Sequence, residues 1–544
     1  MSSPLLQSFS TNFAYQVIFS IIIIYLLINL SKILYVVWFY QNYPSRKTNS
    51  LFGEMLNLNP NFPFINKSNE APIHKIASQY VYTEKMTGAP ILWVATIPYI
   101  MINTYKTAQI LIKGRNNPNK PWTYRYLDPR LFHGLIGVNG KKWADRRRLY
   151  LPAFRKRNLV NYFDNMAEMM ESVVETIKNR ANNDRHEFRF DNIKTPVHML
   201  VLDVLGSFVL GKRLDNFHNS DSAQAQASIN VGKPIMHRAT NPILRIDLIF
   251  NNLPLGKKLS SCIACLSSFY KEIIDSEVQR KFGPLDGDSQ YKEEHIENFS
   301  SDLNDNATEL SASREFKTLL STFLDGVYEG GIGIDNSELD LSDVRDEIAN
   351  SMSAGIETTT NATIWTLYLL GLHQSEQEKV FDEVSHWNPA TSSYDVEQNL
   401  RNSPFLEQCI KEAMRLFPPV PIIARELAED TILEGRKYLK GTEVCISSFL
   451  IHRDPQVFEE AEKFQPERFD LHAKPFPPFS YIPFSMGARD CVGKSLAMFS
   501  LKLMIGTLVK NFQLTSLKPL DEIPVELTMT SEPMSDLPMI FKIR

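Results

Sequence analysis

The sequence predicts a mainly α-helical fold with smaller β-sheets: one large domain over residues 41–544 behind an N-terminal membrane helix within residues 1–40. Three observations predict it. Apolar residues recur at helical spacing from Leu159 to Arg180, around His198 to Leu210 and from Ser342 to about Leu372. β-rich runs are short, such as Thr442 to Leu450. The first charged residue is Lys32, after a long apolar stretch.

That stretch justifies the membrane helix. Phe13 to Leu30 is almost wholly apolar and spans ~27 Å as helix, close to the thickness of a bilayer core. A cleaved signal peptide needs a basic segment in front and a small-residue cleavage site behind, and both are missing. Positive charge at Lys32, Arg46 and Lys47 follows the stretch and predicts a cytosolic body. The expected location is the endoplasmic reticulum membrane, crossed once.

The body has the composition of a globular protein: 43% of the 544 residues are hydrophobic and 22% charged. This excludes a disordered chain. Lys plus Arg number 58 against 62 Asp plus Glu, so the balance gives no reason to expect a nucleic-acid partner. Five scattered cysteines exclude a disulfide framework and suggest a reducing compartment. The Cys262-x-x-Cys265 pair lies in an apolar helical run and reads as core packing. Residues 283–312 stand apart, with eight acids and one lysine among Ser, Asn and Gly. Such a segment buries little apolar surface and reads as an acidic surface insertion within the domain. Ser342, followed by three acids, reads as the N-cap of the helix that runs to Leu372. The last long helix is expected from near Val492 to near Lys510.

The segment just before that last helix carries the chemistry. Phe484, Gly487, Arg489, Cys491 and Gly493 form F-x-x-G-x-R-x-C-x-G. Two glycines allow a tight loop and close approach to a flat ligand. Cys491 stands at a helix N-terminus, where the helix dipole favours a thiolate. Arg489 supplies a cation for an anionic group on the same ligand. A thiolate without nearby His or Cys partners implies that a macrocycle provides the other metal ligands.

With this motif the chain resembles a cytochrome P-450, a haem-thiolate monooxygenase, and the resemblance covers the length after the anchor. It implies the cytochrome P-450 fold, with 41–544 as the haem-thiolate catalytic domain. It implies haem b held by Cys491 as axial iron ligand, with Phe484, Gly487 and Arg489 beside it. Trp143 and Arg147, in W-x-x-x-R, match residues that reach haem propionates, as do Arg425 and His452. Ala354-Gly-Ile-Glu-Thr-Thr359 matches the segment where a long helix loosens beside the haem. There Gly355 lets the backbone approach, and Glu357 and Thr358 are the expected proton-delivery residues. Glu412 and Arg415, in E-x-x-R, and Arg468 match a buried charge network with a folding role.

Function follows from the same resemblance. The expected reaction inserts one oxygen atom from O2 into a C–H bond of a lipophilic substrate: a fatty acid, lipid hormone or xenobiotic. Electrons come from NADPH through NADPH–cytochrome P-450 reductase, with cytochrome b5 as an optional second donor. Arg146, Arg148, Arg155, Lys156, Arg157 and Lys494 are the expected docking cations. The 131–143 stretch, Pro152-Ala-Phe154 and Thr366–Gly371 resemble the animal group containing fatty-acid ω-hydroxylases. Many of those have a glutamate where this chain has Ala354. Oxidative decarbonylation of long-chain aldehydes, known for insect members with an acidic insertion, is an alternative. A non-catalytic membrane haem-binding protein is another.

Overall fold

Among the described residues, ten of the helices and eleven strands frame the site. The helices are α1 (Tyr105–Lys113), α2 (Gly140–Tyr150), α3 (Lys156–Asn182), α4 (Lys194–Leu205), α5 (Ala223–Thr240), α6 (Pro254–Phe282), α7 (Leu341–Leu372), α8 (Gln374–Ser385), α9 (Pro404–Leu416) and α10 (Lys494–Asn511). This computed structural model describes residues 89–94, 97–113, 119–126, 133–182, 186–241, 243–283, 316–330, 340–387, 392–527 and 530–544, with 30–43 and five positions between 20 and 28.

Helix α7 is the centre of the packing, and its sequence explains why. Val344, Ile348, Met352 and Ile356 repeat every four residues and give the first half one buried stripe. From Thr359 to Gly371 every residue is buried, so the second half has no solvent-facing side and lies inside the core. There Trp365 stacks on Phe417 with ring centroids 3.9 Å apart. The helix starts two residues earlier than its sequence suggests. Asp340, not Ser342, is the N-cap: its Oδ1 accepts from the Asp343 N–H at 2.9 Å, and Ser342 Oγ donates to the same oxygen. Helix α3 buries Leu159, Phe163, Met166, Met170, Val173 and Ile177 along one face.

The strands are β1 (Ile91–Val94), β2 (Ile97–Ile102), β3 (Glu187–Phe190), β4 (Ile422–Glu426), β5 (Thr431–Leu433), β6 (Arg436–Tyr438), β7 (Glu443–Ser447), β8 (Phe512–Ser516), β9 (Val525–Leu527), β10 (Ser531–Pro533) and β11 (Met539–Ile543). They form a four-stranded sheet in the order β1-β2-β7-β4, a three-stranded sheet β3-β11-β8 and two hairpins. β2 runs parallel to β7 with Tyr99 opposite Glu443, and β4 runs antiparallel to β7 with Ala424 opposite Cys445. The β-rich run expected from Thr442 to Leu450 is therefore β7 followed by a short helix, Ser448–Ile451. One large core surrounds α7, and a smaller one lies under the four-stranded sheet.

The N-terminal helical residues expose Ile23, Ile24, Leu27, Ile28, Leu34 and Trp38, then dock by Tyr40, whose hydroxyl meets Thr442 Oγ1 at 2.9 Å. Among the described residues no helix is long and apolar enough to cross a membrane. Most of the predicted span lies outside the described residues, as does the acidic insertion beyond Gly283.

Candidate active site

The cysteine loop is built by its own backbone. The Cys491 N–H donates to the Phe484 carbonyl at 2.9 Å and the Asp490 N–H to Gly487 at 3.1 Å, closing a turn immediately before α10. Gly487 has φ +78°, and a Cβ there would lie 3.0 Å from the Ile112 carbonyl of α1. Only glycine fits that conformation and that contact. Gly487 therefore seats the loop on α1 and is not among the residues that line the cavity.

Cys491 opens into a cavity of about 640 Å³. Its accessible surface is cavity surface, because protein encloses the residue otherwise. Burial pushes the thiol up, and the Gly493 N–H and the charges of Arg147 and Lys494 pull against it. The expected thiolate preference from the helix N-terminus is thus outweighed by desolvation in the free protein. A coordinated metal deprotonates a thiol outright.

Ala354, Gly355, Glu357 and Thr358 of α7 line the same cavity. The helix is continuous through them, so the expected loosening is not present. Gly355 serves packing: a Cβ there would come within 2.7 Å of Leu205 Cδ1, which lets α7 press against α4. Thr358 Oγ1 donates to the Ala354 carbonyl at 2.8 Å, leaving its lone pairs for the cavity. Burial and the nearby negative Glu532 push the Glu357 carboxyl up to about 8.

Lys120, Arg147, Arg425 and Arg489 reach the cavity on the cysteine side, and Lys233 of α5 lines it elsewhere. Arg489 lies 4.2 Å from the Trp143 ring centroid and donates to the Val138 carbonyl and Asn139 Oδ1, both at 2.8 Å. Arg147 bonds the Asp490 side chain and its carbonyl. Burial, with repulsion from Arg425 and Arg489, pushes the Lys120 ammonium well below the lysine range. Burial, with repulsion from Arg425 and Arg147, brings Arg489 down to about 9. A dianion among these groups relieves the repulsion. A metal macrocycle bearing two carboxylates fits this donor set: a cavity-facing thiol, an apolar enclosure and crowded buried cations.

Glu412 and Arg415 pair bidentately at 2.7 and 2.8 Å with neither side chain exposed. Arg415 also donates to the carbonyls of His452, Ala461 and Lys463, and Arg468 reaches Glu412 Oε1 at 3.3 Å. These groups lie outside the cavity lining. His452, expected at a propionate, lies outside that lining as well. Its Nε2 accepts from the Ile482 N–H at 2.8 Å, ahead of the cysteine loop.

Arg146 is not a surface cation. It is buried against Glu347 at 2.7 Å and also pairs with Asp343, so it is withdrawn from the expected docking patch. Arg148, Arg155, Lys156, Arg157 and Lys494 are exposed. Sequence reasoning missed Lys120, Tyr124, Glu347 and Glu532, which belong to no local motif. Cys262 and Cys265 pack on the core as expected.

Comparison with known proteins follows the same lines. The cytochrome P450 family model matches residues 56–535. Human cytochrome P450 4V2 is 28% identical over 459 residues, covering 84% of this chain and 83% of that protein. Cytochrome P450 4c3 of Drosophila melanogaster is 27% identical over 460 residues, covering 83% and 82%. The structure of a retinoic acid-bound cyanobacterial CYP120A1 superposes with a TM-score of 0.69 at 21% identity, covering 92% of this chain and 99% of that one.

Proposed function

The chain belongs to the cytochrome P450 family, and from that premise we propose that it inserts one oxygen atom from O2 into a C–H bond of a long lipophilic substrate at a membrane. It is a haem monooxygenase, and its cofactor is haem b. One observation carries the reading: a thiol, a cation cradle and an acid–alcohol pair line a single, largely apolar cavity. When bound, the haem supplies dioxygen activation, and thiolate ligation favours O–O cleavage.

The protein's own residues do the rest. Cys491 would hold the iron. Lys120, Arg425 and Arg489 would hold the propionates, with the Trp143 ring 4.2 Å from the Arg489 guanidinium to fix its plane. Leu135, Ile136, Val231, Leu266, Val420 and Ile423 give the cavity apolar walls that take up a lipid chain and exclude water. Thr358, its hydrogen committed to Ala354, accepts a hydrogen bond from a proton-bearing group in the cavity. Glu357 holds a proton at neutral pH and is the donor side of the relay.

Electrons reach this site from an NADPH-dependent reductase, with cytochrome b5 as an optional second donor. The exposed Arg155, Lys156, Arg157 and Lys494 suit an acidic partner surface. Exposed apolar side chains from Ile23 to Trp38 favour anchorage in the endoplasmic reticulum membrane with the body in the cytosol. Fatty acids lead the substrate classes, by likeness to the ω-hydroxylase group. Oxidative decarbonylation of long-chain aldehydes stays the alternative; the insertion that suggests it lies outside the described residues.

The test is NADPH consumption and product formation by the membrane fraction with added reductase, with and without a long-chain fatty acid. Substrate-dependent consumption with a hydroxylated product supports the reading. Haem-loaded protein that turns over none of a panel of fatty acids, sterols and xenobiotics would overturn it.

A further inference from the structure

We propose that Gly232 of α5 sets the size of what this cavity takes: the missing side chain leaves a recess beside the Glu357 carboxyl of α7, and a segment of the substrate fills it. The inference deepens the monooxygenase reading and rests on it only in naming the occupant.

Gly232 lacks the usual reasons for a glycine. It lies inside the helix Ala223–Thr240, where glycine is a poor former. Its φ is not positive, so the backbone does not demand it. Close packing does not demand it either. At Gly355 and Gly371 of α7 and Gly506 of α10, a Cβ would run into Leu205, Ser516 and Trp387. At Gly232, among the described residues outside its own helix, a Cβ would find one heavy atom within 4 Å. That atom is Glu357 Oε1 at 3.6 Å, an ordinary van der Waals contact. The space beside it is cavity, which Gly232 and Glu357 both line.

The recess is a fixed part of the wall. Ser228 stands one turn earlier on the same face of α5, and its Oγ meets Nε2 of His198 on α4 at 2.9 Å, with both residues buried. Lys258 of α6 donates to Asn230 Oδ1 at 2.7 Å. These contacts pin α5 to α4 and α6 just before Gly232. Val231, Ile235 and Met236 of the same helix also line the cavity, so an apolar group lodged there has apolar neighbours and one polar edge, the carboxyl. A side chain at position 232 takes that volume away. An added methyl fits against Glu357, whereas a leucine must reach into the space the occupant uses.

The test uses ferric, haem-loaded full-length protein and needs no turnover. The probes are imidazole and N-alkylimidazoles from butyl to dodecyl, which bind iron through the ring nitrogen and lay the alkyl chain along the cavity whatever the natural substrate is. Wild-type affinity, read from the Soret shift, should rise with chain length by up to about fourfold per buried methylene. Gly232→Leu, and Gly232→Val as a second bulky variant, should end that rise at a shorter chain and weaken the dodecyl probe by about tenfold or more. Gly232→Ala should keep most of the rise, and imidazole itself should bind all four proteins alike. All three replacements are better helix formers than glycine, so α5 should fold. The wild-type length dependence in folded Gly232→Leu and Gly232→Val overturns the recess. An effect already complete in Gly232→Ala is helix stiffening and overturns it too. A size-graded loss in protein that turns over no substrate supports the recess and removes the monooxygenase reading.

Discussion

Arg146 donates to Glu347 across 2.7 Å with side-chain exposures of 3% and 0%. The same carboxylate accepts from Tyr150 Oη at 2.7 Å and from the Leu135 N–H at 2.9 Å. Helix α2, the loop before it and α7 thus meet at one buried acid. Leu135 and Ile136 of that loop form cavity wall, and Arg489 grips the same loop from the cysteine side. Removing one partner of a buried ion pair leaves the other uncompensated, at ~3–5 kcal/mol. Arg146→Ala and Glu347→Ala are each expected to destabilise by that amount in urea unfolding. The double variant should lose clearly less than the sum. Full additivity would show that the pair is not coupled.

Thr358→Ala removes the hydroxyl that follows Glu357 along α7 in the cavity wall. Haem and substrate binding should persist while reducing equivalents are diverted to peroxide or water. Peroxide yield per NADPH consumed is the measurement. Unchanged coupling would assign the relay to other residues.

Two buried histidines set an acid limit on stability. Burial pushes His452 down to about 3, with Arg415 and Arg453 adding repulsion, and pushes His198 down to about 4. Both folded values lie below the unfolded value of 6.5. The unfolded chain therefore binds these protons first. Their contribution is complete above pH ~6.5 and is lost progressively as pH falls toward 4, by about 1.4 kcal/mol per unit for each histidine. His452→Gln should flatten roughly half of that slope in unfolding titrations between pH 6.5 and 4. A slope identical to wild type would contradict the neutral, acceptor role of His452 toward Ile482.

Ala354 lines the cavity where many ω-hydroxylases carry a glutamate that forms an ester with the haem. A methyl group forms no such bond. Acidified organic solvent should extract all haem and leave colourless protein, before and after turnover. Haem retained on the denatured chain would point to another carboxylate, with Glu357 the first to test.

What was legible in the sequence is what local chemistry writes into adjacent positions. The cysteine loop needs a positive φ at Gly487, a backbone bond from Cys491 to Phe484 and a helix start behind it, and all three fall within ten residues. Glu412 and Arg415 are one helical turn apart, so their pairing also has a spacing. Glu347 meets an arginine 201 positions away, and a hairpin near the C-terminus brings Glu532 into the lining of the cavity that Glu357 also lines. Tertiary packing makes those contacts, and no motif announces them. For the same reason Arg146 read as one more cation of a charged surface run. His452 belongs to a motif but faces the back of the cysteine loop, because the buried Arg415 occupies its carbonyl and Ile482 its ring nitrogen. Gly355 was legible as a site of close approach, and its partner Leu205 was not.

The axial role of Cys491 is tested most directly by the absorption spectrum of the reduced carbon-monoxide complex. Full-length wild-type protein should show the red-shifted Soret band that only thiolate ligation produces. Cys491→His should keep haem in the cradle of Arg425 and Arg489 and lose that band. A red-shifted band that survives in Cys491→His would contradict the assignment and move the iron ligand to another cysteine.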